Sequence, residues 1–149
     1  MIKHITVFCA LLLLLSGFAI ARDRDFGAGI ILGSPTGVSG KLWLGGRRTA
    51  LDAALSVVSD GLYLHVDYLW HDYTALPKPE KGRLPLYYGI GGRISGSDLG
   101  ARGVIGIEYI FAGYPFDLFF ELAPVISLVP DVGFHLTGGL GGRYFFGGR

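Results

Sequence analysis

A strict two-residue alternation runs through the last part of the chain and leaves little freedom in what it can fold into. In FDLFFELAPVISLVPDVGFHLTGGLGGRYFF, residues 116–146, Phe116, Leu118, Phe120 and Leu122 fall on one face and Asp117, Phe119 and Glu121 on the other. Beyond a turn near Pro130-Asp131, Phe134, Leu136, Leu140, Tyr144 and Phe146 alternate with His135, Thr137 and Arg143. Successive side chains of a strand point to opposite faces, so this is a long hairpin in a sheet with one apolar and one polar side.

The same pattern repeats upstream. Candidate strands cover 26–32, 38–44, 50–58, 62–70, 86–94 and 103–111, and turn signals such as Gly33-Ser34-Pro35-Thr36-Gly37, Gly45-Gly46-Arg47-Arg48 and Ser59-Asp60-Gly61 separate them. With the closing hairpin this makes eight strands, a spacing that predicts an all-β barrel or sandwich. Residues 50–58 alone have a composition that also suits a short helix. The longest connection, His71 to Pro85, holds Pro77, Pro79 and Pro85, residues unsuited to a central strand.

The first 21 residues read differently. Lys3 and His4 precede an apolar run from Ile5 to Leu15, and Ala19-Ile20-Ala21 is a small-x-small cleavage site. That is the layout of a secretory signal peptide, and the run is short for a membrane-spanning helix of about 20 residues. The expected division is a signal peptide at 1–21 and one β-barrel domain at 22–149. Cys9 is the chain's one cysteine and lies in the apolar run. A mature part beginning at Arg22 therefore has no disulfide, thiolate metal site or cysteine nucleophile. Removing Lys3 leaves 12 basic against 12 acidic residues, so the mature formal charge is zero. Without a basic excess, nucleic acid is not an expected partner.

Alternation does not say which face meets water. Three features favour apolar faces pointing outward, toward lipid. Only 17% of residues are charged, against about 25% in an ordinary soluble domain, and the polar faces carry many glycines and few long charges, where a soluble surface is about 25–35% charged. The charges on the polar faces are mixed in sign: Lys41, Arg93 and Arg143 with Asp52, Asp67, Glu108, Asp117 and Glu121. Such a set can neutralise itself in a narrow lumen, where unpaired charge is costly. A signal peptide before a cysteine-free mature chain suits the bacterial envelope. Trp70, Phe111, Phe116, Tyr144 and Phe146 stand at the ends of apolar faces, as interfacial aromatics do at the two edges of a bilayer.

The strands at 62–70, 85–93 and 116–125, with the closing Gly141-Gly142-Arg143-Tyr144-Phe145-Phe146, resemble a family of small bacterial outer-membrane-like β-barrel proteins of uncharacterised role. The resemblance covers almost all of the expected mature chain and rests on strand pattern and glycine-aromatic texture. It implies an eight-stranded antiparallel barrel with no assigned reaction. The ending also resembles the terminal signal read by the outer-membrane insertion machinery, with Gly141 and the alternating Tyr144 and Phe146. It departs from that signal at Gly139 and in the trailing Gly147-Gly148-Arg149. One expectation conflicts with the rest: outer-membrane barrels keep short turns on the periplasmic side, and the His71–Pro85 connection would fall there. A strand count off by one, an unusual topology or a soluble barrel would each resolve the conflict.

Few residues suggest chemistry. His135 and Thr137 share a strand face, similar to a His-x-Ser pair used by an outer-membrane lipid A deacylase, and an imidazole beside a hydroxyl can take its proton. A polar lumen network is the simpler account, with Asp117 or Glu121 as conceivable orienting acids. His65 and Asp67 have a possible ligand spacing, but a metal site needs three or four ligands, and ion pairing to Arg93 or Lys41 is the simpler expectation. Gly89-Ile90-Gly91-Gly92 lacks the following helix of a nucleotide loop. The resulting expectation is an eight-stranded antiparallel up-and-down barrel in the bacterial outer membrane, non-enzymatic, without metal or cofactor. Its partners would be the lipid bilayer and the insertion machinery, with a protein partner left open. The alternatives are a soluble periplasmic barrel binding an apolar ligand and a lipid hydrolase using His135 and Thr137.

Overall fold

The computed structural model describes residues 25–59 and 61–146, so the expected signal peptide and the last three residues lie outside the described part. Eight strands follow in order: β1 (Phe26–Gly33), β2 (Gly37–Leu44), β3 (Thr49–Val58), β4 (Gly61–Asp72), β5 (Leu86–Ser95), β6 (Asp98–Ile110), β7 (Phe116–Val129) and β8 (Gly133–Phe146). Each pairs antiparallel with the next, and β1 pairs with β8, closing an up-and-down barrel. Closure leaves no strand edge unpaired. The alternating 50–58 segment, which composition left open, is strand β3.

Every alternation read in the sequence resolves the same way. Ile30, Val38, Leu51, Leu64, Ile90, Ile105, Leu118 and Leu140, one from each strand, all point outward and are exposed. The opposite faces point inward, carrying charges together with Trp43, Tyr87, Phe119 and Phe145. Large inward rings need room on the neighbouring strand, and glycine supplies it. Phe119 is paired with Gly141 and Tyr87 with Gly106. A Cβ on Gly141 would sit 2.5 Å from Phe119 Cζ, and one on Gly106 2.4 Å from Tyr87 Cζ. These glycines are sites of close approach.

The connections divide by end. Residues 34–36, 96–97 and 130–132 make short turns at one rim. The other rim holds 45–48, 73–85 and 111–115, together with Asp25 and Phe146, the first and last described residues. The conflict over the longest connection is thus a property of the fold and not of a miscounted strand. The gap between the expected strands 86–94 and 103–111 shrinks to two residues, because β5 runs on to Ser95 and β6 begins at Asp98, its register partner. At the terminal rim, Gly45–Arg48 forms a helical turn in which Gly46 and Arg47 take left-handed φ values of 70° and 55°.

Candidate functional site: a charge-filled lumen

Lys41, Asp52, Asp67, Arg93, Glu108, Asp117, Glu121 and Arg143 are all buried, on the inner face of the barrel. Inward alternation delivers them there, and the narrow bore of an eight-stranded barrel brings opposite walls within side-chain reach. Arg143 lies across from its register partner Asp117 and donates to it through Nε at 3.1 Å. The same guanidinium spans the lumen to Asp52 on β3 at 3.0 Å. Lys41 on β2 pairs with Glu108 on β6. Such forked, charge-assisted contacts suit guanidinium geometry.

Around these pairs lie polar groups that the sequence pattern did not single out as lumen charges. Arg102 pairs with Asp67 at 3.1 Å and Glu121 at 3.3 Å, and Tyr87 Oη donates to Glu121 at 2.7 Å. His71 Nε2 accepts from Lys41 Nζ at 2.8 Å, while its Nδ1 donates to the Arg48 carbonyl at 3.1 Å. Toward the short-turn rim Arg93 donates to Asp98 at 2.6 Å and to Ser127 at 3.1 Å. His65 and Asp67 therefore belong with Arg102 and not, as expected, with Arg93 or Lys41. Arg102 fell just before the expected strand 103–111, where small neighbours (Gly100, Ala101, Gly103) blur the alternation.

Asp52, His65 and Asp67 bring one ligand atom each within 4.8 Å of one another, a spacing that suits a cation. The hydrogen bonds argue against that use. Arg102 donates to His65 Nδ1 at 2.8 Å, and Tyr63 Oη stands 2.8 Å from the same nitrogen. A guanidinium can only donate, so Nδ1 carries a lone pair and Nε2 carries the proton. That proton points between Asp52 and Asp67, 3.5 and 3.6 Å from Nε2. The arrangement is a proton donor between two carboxylates, not an imidazole ligand to a metal.

The hydrolase constellation does not assemble. Thr137 Oγ1 donates to the Ala123 carbonyl across the β7–β8 ladder at 3.0 Å. Thr137 pairs with Ala123, His135 with Val125 and Gly139 with Glu121. Glu121 thus sits four residues along the ladder from His135, roughly 13 Å at the strand rise. Its carboxylate is already bonded to Tyr87 and Arg102, and Asp117 is held by Arg143.

The aromatics singled out as interfacial (Trp70, Phe111, Phe116, Tyr144 and Phe146) gather at one rim, the terminal one, instead of at both edges of the apolar wall. The reason is chain direction: each stands where its strand reaches that rim. Trp70 packs against Tyr68 and Tyr88 with centroids at 4.9 and 6.1 Å, and Phe111 against Tyr109 at 4.9 Å. Tyr144 touches Phe116 at 5.2 Å and Phe146 at 5.1 Å. Among the described residues, the exposed large hydrophobics near the opposite rim are aliphatic apart from Phe134, with Val57, Val129 and Val132 exposed. Comparison with protein-family models, curated proteins and solved structures gives no match.

Proposed function

We propose that this chain is a small outer-membrane β-barrel, its lumen closed by its own side chains, with a structural or interaction role in the cell envelope and no catalytic one. One observation carries the reading: the exposed wall is apolar on all eight strands, and the strands' charges, apart from Asp72 at the end of β4, are turned inward and paired. Ile90 is 65% exposed while Glu108 is 0% exposed, the reverse of an ordinary soluble protein. In water a continuous apolar surface of more than a few hundred Å² invites association. In lipid it is the expected outer wall, and closure satisfies every backbone group that a bilayer cannot.

Ion pairs and rings fill the bore, so passage of solutes has no support in the geometry, and neither does an apolar ligand held inside. The signal peptide and the alternating Tyr144 and Phe146 suit export and assembly by the insertion machinery. With Asp25 and Phe146 toward the periplasmic side, the longer connections and the aromatic rim also face the periplasm. The test is fractionation of the mature protein followed by a carbonate wash. It is expected in the membrane pellet, extracted only by detergent and migrating differently on gels with and without heating. Release by osmotic shock without detergent would overturn the reading.

A further inference from the structure

At the terminal rim a cleft of about 240 Å³ is lined by Trp43, Arg47, Arg83, Phe111, Tyr114 and Phe116, among others. The last three residues also border a second, apolar groove of about 570 Å³ on the outer wall. That groove exists because two outward positions carry almost no side chain. Gly142 is paired with Ile30 on one side and Leu118 on the other, and Ala28 pairs with Tyr144. A shallow track over Ala28 and Gly142 is thus walled by large apolar groups. Its volume alone falls within the range of about 300–1,000 Å³ typical of small-molecule sites.

The cleft at the head of this track is positively charged and held in place. Among the described residues neither Arg47 nor Arg83 has a carboxylate within 4.0 Å, whereas Lys41, Arg93, Arg102 and Arg143 all do. Their guanidiniums lie instead near rings, Arg47 5.8 Å from the centroid of Trp43 and Arg83 5.7 Å from that of Tyr73. The Arg83 backbone is bridged both ways to Ile110, at 2.9 and 2.8 Å. Tyr73 Oη donates to the Arg47 carbonyl at 2.7 Å, fixing the one non-glycine residue with positive φ among those described. Backbone held in such a region is a recurrent mark of ligand clamps. The wall between cleft and groove is pinned by Phe111 N donating to the Phe116 carbonyl at 3.2 Å.

A cationic head pocket with no carboxylate among the described residues paired to its arginines, sharing a wall with an apolar track, fits one ligand class. We propose that this rim binds an anionic glycerophospholipid, with its phosphodiester beside Arg47 and Arg83 and an acyl chain along Ala28 and Gly142. The inference rests on the membrane reading above, since the groove must face lipid.

Native mass spectrometry of the detergent-purified barrel, titrated with phosphatidylglycerol or phosphatidylcholine of identical chains, tests it. Two juxtamembrane arginines should favour the anionic lipid by about 30-fold. The double variant Arg47→Gln/Arg83→Gln should bring that ratio close to one, and Ala28→Phe, which fills the track, should weaken both lipids. Heat-modifiable migration of each variant shows that the barrel still closes. Equal binding of the two lipids by the natural chain, an unchanged ratio in the double variant, or competition by glycerol phosphate as effective as by the lipid would overturn the proposal. Recovery of the protein without detergent would instead remove the membrane reading itself.

Discussion

At the scale of single residues, the lumen network sets the balance between stabilisation and cost. Burying a charge is expensive, and removing one partner of a buried pair leaves the other uncompensated, at about 3–5 kcal/mol. Lys41→Met should therefore lower unfolding stability by that order, because the buried Glu108 would lose the ammonium paired with it. Adding Glu108→Gln should restore part of the loss, and urea unfolding of the four species in a double-mutant cycle reads the coupling directly. No recovery in the double variant would mean that Lys41 contributes through packing on Trp43, whose ring centroid lies 4.0 Å from its Nζ. The sequence makes some of these pairs readable and hides others. Asp117 and Arg143 are register partners within one hairpin, so alternation and turn position suffice to bring them together. Arg143 to Asp52 and Lys41 to Glu108 cross the bore between non-adjacent strands. Their meeting depends on closure and strand stagger, which no local pattern encodes.

At the scale of elements, strands are legible because the alternation is long and uninterrupted, and boundaries fail where small residues interrupt it. β6 begins at Asp98, five residues before the apolar alternation becomes visible at Gly103, because Gly100 and Ala101 give no contrast between faces. The glycines inside the strands also differ in what they do. A Cβ on Gly141 would meet the Ile30 carbonyl oxygen at 2.3 Å as well as the Phe119 ring, and backbone cannot yield as a side chain can. Gly141→Ala should therefore destabilise the barrel by about 1–3 kcal/mol, as overpacking does. Gly103, outside the barrel on β6, has its nearest neighbour at 3.7 Å. Gly103→Ala should stay within about 0.5 kcal/mol of the natural chain. Equal urea midpoints for the two variants would show that inward glycines are not spacers for rings. The helical turn at Gly45–Arg48 offers a second contrast. Arg47→Gly relieves its left-handed φ and should leave stability unchanged or slightly raised, whereas Tyr73→Phe removes the bond to the Arg47 carbonyl and should cost about 1 kcal/mol.

At the scale of the whole molecule, the barrel presents lipid-compatible side chains outward and charge inward, and the direction of the faces was the step alternation left undecided. Composition carried the preference for it: a chain with so few charges cannot both fill a charged bore and coat a soluble surface. The placement of the aromatics on one rim was not legible, since each strand shows rings at an end without showing which ends coincide; chain direction through the closed barrel decides that. The outward wall makes a prediction that separates solvents. Ile90 lies midway along β5 and is 65% exposed, while Phe134 stands near the short-turn rim and is 71% exposed. If the wall faces lipid, Ile90→Arg should cost about 2–4 kcal/mol when the protein is unfolded reversibly from vesicles, and Phe134→Arg about 0–1 kcal/mol. If the wall faces water, both are exposed apolar-to-polar changes, and each should stay within about 0.5 kcal/mol of the natural chain and improve solubility. A large difference between the two penalties points to a bilayer, because both sites are well exposed and stand at different heights on the wall.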